Sequence, residues 1–175
     1  MTNESITITI VPTGQLPASQ QQELDALLDK VFAGQDEGLH WSPMDWNVMV
    51  REHGVLVSNV EILERTITVA GQPLRIGGIG GVATLPEYRR RGFASQAMCR
   101  AGAFMRDPLR LDFGLLVCGE ERVHLYESLG WQVVADPMYF DQPDGKQKLN
   151  TAVMILSLNG KPWPSGVIDL CGLPW

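Results

Sequence analysis

The residues best suited to chemistry stand together in one short stretch, where Arg89, Arg90 and Arg91 precede Gly92 and a helix-forming run. A strand, a basic turn with a glycine and then a helix present unpaired backbone N–H groups and the positive end of a helix dipole at one point. Pyrophosphate fits such a point, because several N–H groups can each meet one of its oxygens while glycine permits close approach. The arginines can add bidentate hydrogen bonds to phosphate. The alternative is a solvated run of charge beside a helix.

The rest of the chain does not share this positive charge. Its formal net charge is −6 and its isoelectric point is near 5.0. This acidic balance argues against a general nucleic-acid or membrane-surface binder, because nucleic acids and anionic membranes bind basic protein surfaces. It favours a small cationic substrate.

A single domain over residues 1–175 is expected from a chain of 175 residues. The first residues lack the basic-then-apolar layout of a signal peptide, and the sequence has no apolar run of about 20 residues, so neither a signal peptide nor a membrane span is expected. We therefore expect a cytoplasmic protein. Three widely spaced cysteines indicate reduced, buried thiols, and the three histidines show no metal-ligand spacing with them. No metal is predicted.

The elements around the arginine turn follow from apolar periodicity. Strands are predicted over residues 6–11, 48–51, 55–68, 74–85, 113–118, 131–134 and 151–158, and helices over residues 19–32, 94–104 and 120–129. Residues 33–46 have no period and are predicted to form a loop at the substrate site. The strand before the turn contains four glycines, which would let a ligand or another part of the chain come close.

The six residues from Arg89 to Ala94 resemble the Q/R-x-x-G-x-G/A signature of the GCN5-related N-acetyltransferases, the GNAT superfamily. The resemblance implies an α/β (α+β) fold with a mixed, mostly antiparallel central sheet flanked by helices. It also implies acetyl-CoA as co-substrate, with its pyrophosphate held by the turn. On this basis the cofactor-binding residues are expected to be Val82, Ala83, Thr84, Arg89, Arg90, Arg91, Gly92, Phe93, Ala94 and Ser95.

A second stretch, VHLYESLGW at residues 123–131, resembles the family signature in which a helical tyrosine lies near the sulfur of coenzyme A. Tyr126 is therefore the candidate catalytic general acid. An ordinary tyrosine has a pKa of about 10, so at neutral pH it holds a proton that it can give to a departing thiolate. The alternative is a half-buried tyrosine that packs on Leu129 or Trp131.

In detail the chain is similar to aminoglycoside 2'-N-acetyltransferases, which share a YRR-x-G turn, a GLL strand and an LY-x-x-x-GWQ segment. Its W-P-x-G tail segment, beginning at Trp163, resembles one in nodulation N-acyltransferases. Both resemblances imply transfer to a primary amine on a carbohydrate, and hence an acetyltransferase whose acceptor is a small cationic molecule such as an aminoglycoside or another amino sugar. The resemblance to the aminoglycoside enzymes also implies a role in antibiotic resistance. The family also implies a homodimer, to which Trp163 and Ile168 could contribute.

The chain departs from the aminoglycoside enzymes at the strand before the turn, where Gly80 aligns with their glutamate. Another group must then serve as base and bind the amine, or each candidate is merely a surface acid. The candidates are Asp36, Glu37, Asp45, Glu61, Asp169 and the carboxylate after Trp175, with His40 as a weaker one. The missing glutamate also leaves open a non-catalytic acyl-CoA sensor, and the superfamily leaves open a protein or tRNA acetyltransferase.

Overall fold

The computed structural model describes residues 5–35 and 38–175, which form two compact units. The first unit contains residues 5–35, Met44–Ile62 and Gly80–Ala101, and the second contains Gly38–Pro43, Leu63–Ile79 and Gly102–Trp175. The boundary passes through two strands and one helix, each of which therefore has residues in both units. The candidates Asp36 and Glu37 lie outside the described residues.

The secondary structure alternates strands with three α-helices. The described strands are β1 (Ile6–Pro12), β2 (Trp46–Glu52), β3 (Val55–Val69), β4 (Gln72–Thr84), β5 (Phe113–Cys118), β6 (Gln132–Val134), β7 (Met138–Gln142), β8 (Gly145–Lys148), β9 (Ala152–Ser157) and β10 (Ile168–Asp169). The helices are α1 (Ala18–Val31), α2 (Phe93–Arg106) and α3 (Val123–Glu127).

In the first unit, β1, β2 and the first half of β3 form an antiparallel sheet whose apolar face is covered by α1. The pairing runs from Ile6 opposite Glu52 to Pro12 opposite Trp46, and β2 continues the sheet onto β3 with a bulge after Val50. Leucines repeat on one side of α1 with helical period, so that side packs against the sheet. The buried cluster consists of Leu24, Leu27, Met49, Leu56 and Ala83.

In the second unit, β5 lies between β4, which is parallel to it, and β9, which is antiparallel to it. Strand β6 pairs antiparallel with the other edge of β9. Strand β10 pairs antiparallel with β3 and parallel with β7, and β7 and β8 form an antiparallel hairpin. The mixed, mostly antiparallel sheet with flanking helices confirms the predicted fold class.

The glycines of β4 make room for large side chains. A methyl group at Gly77 would collide with Met105, one at Gly78 with the indole of Trp175, and one at Gly81 with the carboxylate of Glu61. The side chain missing from each of these positions is thus replaced by one from another element. This explains why a buried strand tolerates residues that otherwise weaken strands.

We expect Gly78→Ala to destabilise the protein by about 1–3 kcal/mol, because overpacking a filled site forces side chains or backbone to shift. Urea denaturation followed by fluorescence measures the change. Gly14→Ala is the matched control, since no atom lies within 4 Å of the added methyl group there. Equal stability of the two variants would show that the Trp175 indole moves aside without cost.

Three features of the fold differ from the sequence prediction. The third helix is shorter, because residues Glu120–Arg122 form a 3₁₀ turn before α3. The strands β7, β8 and β10 were not predicted, and β10 buries Ile168 completely, so that side chain is unavailable to a dimer interface. The prediction of buried thiols is wrong for Cys99 and Cys171, which are exposed.

Candidate functional site

The arginine turn places free N–H groups around one point of the first unit. After β4 the chain makes a 3₁₀ turn over Pro86–Tyr88, and the backbone then becomes left-handed at Arg90 (φ 63°) and at Gly92 (φ 81°). The N–H of Gln96 donates to the carbonyl of Gly92 at 3.0 Å, so helix α2 begins directly after this glycine. The N–H groups of the first helical turn consequently have no partner within the helix.

The three arginines have different surroundings. Arg91 forms a bidentate ion pair with the buried Glu52, with N–O distances of 2.9 and 2.5 Å, and its guanidinium lies over the rings of Tyr88 and Phe93. Arg89 donates from Nε to the carbonyl of Thr84 at 3.2 Å. Within the described ranges Arg90 has neither a hydrogen bond nor an ion pair. Of the three predicted phosphate ligands, Arg90 is therefore the one whose whole side chain remains available to a ligand. Arg89 and Arg91 already have contacts within the protein.

The end of β4 is held on one side and open on the other. Ser58 Oγ donates to the carbonyl of Ala83 at 2.8 Å and lies at the same distance from Thr84 Oγ1. Strand β4 pairs with β5 at Gly77 and Gly78, and over the described residues this pairing does not extend to Val82, Ala83 and Thr84. The backbone groups along that edge therefore have no strand partner in β5.

Glu61 occupies the space that a side chain at Gly81 would fill. The left-handed backbone of Gly81 (φ 52°) turns its missing side chain towards the carboxylate. Burial raises the pKa of Glu61, and in the described part of the chain its carboxylate has no hydrogen-bond donor and no cation. A carboxylate thus stands beside the residue that follows Gly80, where the resemblance placed a missing glutamate.

Tyr126 lies on α3 in the second unit and is 4% exposed. The backbone N–H groups of Leu129 and Trp131 donate to its carbonyl at 2.9 and 3.1 Å, which fixes the end of the helix. Burial raises the pKa of Tyr126 to about 12, although the charge of Arg122 lowers it. The phenol therefore keeps its proton at neutral pH, as a hydrogen-bond donor or general acid must.

Two of the other predicted acids are engaged in structural contacts. Asp169 accepts two hydrogen bonds of 2.8 Å from Lys146. Burial alone would raise the pKa of Asp169, but Lys146 and the N–H of Cys171 hold this pKa below its ordinary value. Asp45 joins two segments through its backbone, with bonds of 2.8 and 2.9 Å to Thr13 and Ile62. A strongly paired carboxylate such as Asp169 is a weak base.

Trp175 and His40, two further predicted site residues, are held by contacts within the second unit. The Trp175 indole is 9% exposed, and the guanidinium of Arg65 lies 5.1 Å from the centre of its ring. Arg65 also donates to Ser42 Oγ at 2.5 Å. The backbone of His40 is bound on both sides by the amide of Gln142, at 2.9 and 3.0 Å. These contacts hold residues 38–43 of the predicted substrate loop against other parts of the second unit.

Sequence analysis missed two asparagines of the first unit, Asn47 and Asn59, both fully buried. Asn59 Nδ2 donates to Asn47 Oδ1, and Asn47 Nδ2 donates to Thr13 Oγ1, each at 3.1 Å. The sequence offered a signal for them, because each asparagine interrupts an apolar run, in β2 and in β3. A buried side-chain amide needs hydrogen-bond partners, so the two asparagines predict a polar contact inside the first unit.

The residues around the arginine turn fit the pyrophosphate of acetyl-CoA. Three features favour an anion: the left-handed backbone at Arg90 and Gly92, the first N–H groups of α2, which have no partner within the helix, and the guanidinium of Arg90, which has no partner among the described residues. No group of three or more His, Cys, Asp and Glu side chains in the described ranges could hold a metal ion. None of the described helices is long and apolar enough to cross a membrane.

A mixed, mostly antiparallel sheet in which β4 leads through an arginine-rich turn into α2 is the arrangement that the resemblance to acyl-CoA-dependent transferases predicted. A family profile described as acetyltransferase (GNAT) domain matches residues 15–134, and the chain belongs to this family. The protein is thus an acyltransferase that uses acetyl-CoA as its co-substrate and acts on an amine.

Known relatives are distant in sequence. An aminoglycoside 2'-N-acetyltransferase from Mycolicibacterium fortuitum is 23% identical over 141 residues, which cover 79% of this chain and 71% of the relative. The GNAT family N-acetyltransferase YhbS from Escherichia coli, solved in complex with CoA, superposes with a TM-score of 0.66 at 17% identity and covers 98% of this chain and 93% of its own. ElaA from Escherichia coli superposes with a TM-score of 0.64 at 17% identity, and the match covers 87% of this chain and 100% of ElaA.

Proposed function

We propose that the protein transfers the acetyl group of acetyl-CoA to a primary amine of a small cationic molecule, with an amino sugar such as an aminoglycoside as the acceptor class. The observation that carries the proposal is the carboxylate of Glu61, which lies beside Gly81 and has neither a hydrogen bond nor an ion pair among the described residues. Gly81 is adjacent in the chain to Val82. The net charge of −6 favours a cationic acceptor. The name of the Mycolicibacterium fortuitum relative supports the choice of an amino sugar.

In this proposal Glu61 is the base. An amine that arrives as an ammonium ion must lose a proton before its nitrogen can attack a carbonyl carbon, and burial brings the pKa of Glu61 closer to neutral pH than that of an exposed glutamate. Acetyl-CoA supplies the acetyl group as a thioester. The new N–C bond forms as the C–S bond breaks, and the sulfur leaves with the electron pair of that bond. The second proton of the attacking nitrogen then passes to this sulfur or to solvent, which leaves a neutral amide.

Two sets of donors assist the transfer. The N–H groups of residues 82–84 can donate to the carbonyl oxygen as negative charge develops on it. Tyr126 would donate to the departing sulfur. Its pKa of about 12 exceeds that of an ordinary thiol. The difference is about three to four pKa units, so complete proton transfer is uphill and we expect Tyr126 to act through a hydrogen bond.

Binding of the pyrophosphate falls to the arginine turn. The backbone N–H groups of Gly92, Phe93, Ala94 and Ser95 and the side chain of Arg90 would meet its oxygens. The side chain of Arg91 holds the turn to Glu52 instead. Its contribution to binding is then to fix the conformation of the turn.

Thiol release from acetyl-CoA over a panel of tobramycin, spermidine and glucosamine tests the proposal. We expect amine-dependent release and a product heavier by one acetyl group in mass spectrometry, with tobramycin as the best substrate. N-acetylglucosamine is the matched control, because its amine is already blocked. Binding of acetyl-CoA without release for any of the three amines would contradict the proposal.

A further inference from the structure

A buried oxygen without a donor lies in the polar chain of the first unit. Asn59 donates from Nδ2 to Asn47 Oδ1, and Asn47 donates from its own Nδ2 to Thr13 Oγ1. The remaining polar atom, Asn59 Oδ1, is buried and has no hydrogen-bond partner among the described residues. An unsatisfied carbonyl oxygen in the interior is costly, so its retention calls for an explanation.

Glu61 is a neighbour of Asn59 on the same face of β3. It lies two residues beyond Asn59, and side chains two apart in a strand share a face, with their Cα atoms about 6.5 Å apart. Glu61 also lies directly opposite Asn47 in the β2–β3 register. Ionised Glu61 and Asn59 Oδ1 are both hydrogen-bond acceptors, so no hydrogen bond can join them in that state. Protonated Glu61, in contrast, carries an O–H that can donate.

We propose that Asn59 Oδ1 accepts the O–H hydrogen bond of Glu61 whenever Glu61 carries a proton, so that the two side chains form a proton-holding pair. Asn59 is then a positioning residue that acts through Glu61. The pair itself depends only on the structure, whereas its use in catalysis rests on the proposed function.

The proton balance of the pair is simple. An N–H bond of the acceptor ammonium breaks, the nitrogen keeps the electron pair, and the proton forms an O–H bond on Glu61. The protonated carboxyl then donates to Asn59 Oδ1, and the proton later returns to solvent. The facing residues on the neighbouring strands, Asn47 on β2 and Gly81 on β4, are uncharged. Burial raises the pKa of Glu61 because it disfavours the charged form. In the proposed pair, the hydrogen bond that the neutral carboxyl donates raises this pKa further.

The test is an NMR titration of the Glu61 carboxyl carbon in the wild type and in Asn59→Leu. We expect the pKa of Glu61 to fall by about one unit in the variant, a tenfold rise in the acid dissociation constant. Leucine makes the surroundings less polar, which by itself would raise the pKa. A fall therefore isolates the lost hydrogen bond. Thr13→Val is the matched control, because it breaks the same polar chain without touching Asn59, and we expect no shift in it.

A second measurement needs no substitution. In the wild type the side-chain carbonyl carbon of Asn59 should titrate with the same midpoint as Glu61. Two results would contradict the proposed pair: a pKa of Glu61 that is unchanged or raised in Asn59→Leu, or an Asn59 carbonyl signal that does not change as Glu61 titrates. The acid limb of kcat/KM for tobramycin should move to lower pH in Asn59→Leu along with the NMR value. If NMR shows the pair but activity does not follow Glu61, the pair stands and the proposed base is wrong.

Discussion

Gly92→Glu is expected to weaken acetyl-CoA binding by about 100-fold or more, equivalent to roughly 2.7 kcal/mol. Three effects add up at this position. A residue with a Cβ pays about 1–2 kcal/mol in the left-handed conformation that Gly92 adopts at φ 81°. The glutamate places negative charge at the start of α2, beside the phosphates. Its side chain also enters space in which a Cβ meets no atom of the described residues within 4 Å apart from its own chain neighbours, and which we assign to the ligand.

Isothermal titration of acetyl-CoA and of tobramycin measures the two affinities separately. Gly92→Ala is the matched control, because it carries the backbone strain without the charge, and Arg90→Gln removes the unpaired guanidinium alone. We expect both to weaken acetyl-CoA binding less than Gly92→Glu does. Equal losses of affinity for acetyl-CoA and for tobramycin in Gly92→Glu would show that the turn does not bind the pyrophosphate.

Tyr126→Phe is expected to lower kcat by about 100-fold to 1,000-fold while the KM for acetyl-CoA stays within about twofold. The variant keeps the buried ring and removes the hydroxyl, so a donor to the departing sulfur is lost with little change in packing. Because the pKa of Tyr126 is about 12, the phenol stays protonated below that pH. Its ionisation should therefore cause no loss of activity between pH 7 and 10 in the wild type.

Steady-state kinetics with varied acetyl-CoA at fixed tobramycin supplies both constants. Tyr139→Phe, on β7 of the same unit, is the matched control and should behave as the wild type. Turnover that does not change in Tyr126→Phe would remove Tyr126 from the reaction. A loss that appears only in KM would indicate a role in binding.

The sequence predicted those parts of the fold that rest on local rules. The period of Leu24, Leu27 and Val31 was sufficient to place α1, and the apolar run of β5 matched the structure residue for residue. The arginine turn was recognisable because its residue types and order are local. The β7–β8 hairpin was missed although Pro143 and Asp144 form a turn before Gly145, because both strands are short and β8 is polar.

Much of the candidate site depends on contacts between distant parts of the chain, which no local pattern reveals. Glu61 was one of several acids in the sequence, and only the register of β3 against β4 distinguishes it. Arg91 looked like its two neighbours until the fold brought Glu52 to it from β2. Asn59 became notable because Asn47 on β2 accepts a hydrogen bond from its Nδ2, while its Oδ1 has no hydrogen-bond partner among the described residues.

The contact between Gly81 and Glu61 implies a rule for sequence variation among close relatives. Two side chains compete for one volume, so a carboxylate can come from either strand but not from both. A residue larger than glycine at position 81 would need a smaller or displaced side chain at position 61 and would also strain the left-handed backbone of Gly81 (φ 52°), so the acid could move between strands only by a paired exchange that also changes this backbone conformation. The two positions should therefore covary, with an acid at one accompanied by glycine or alanine at the other.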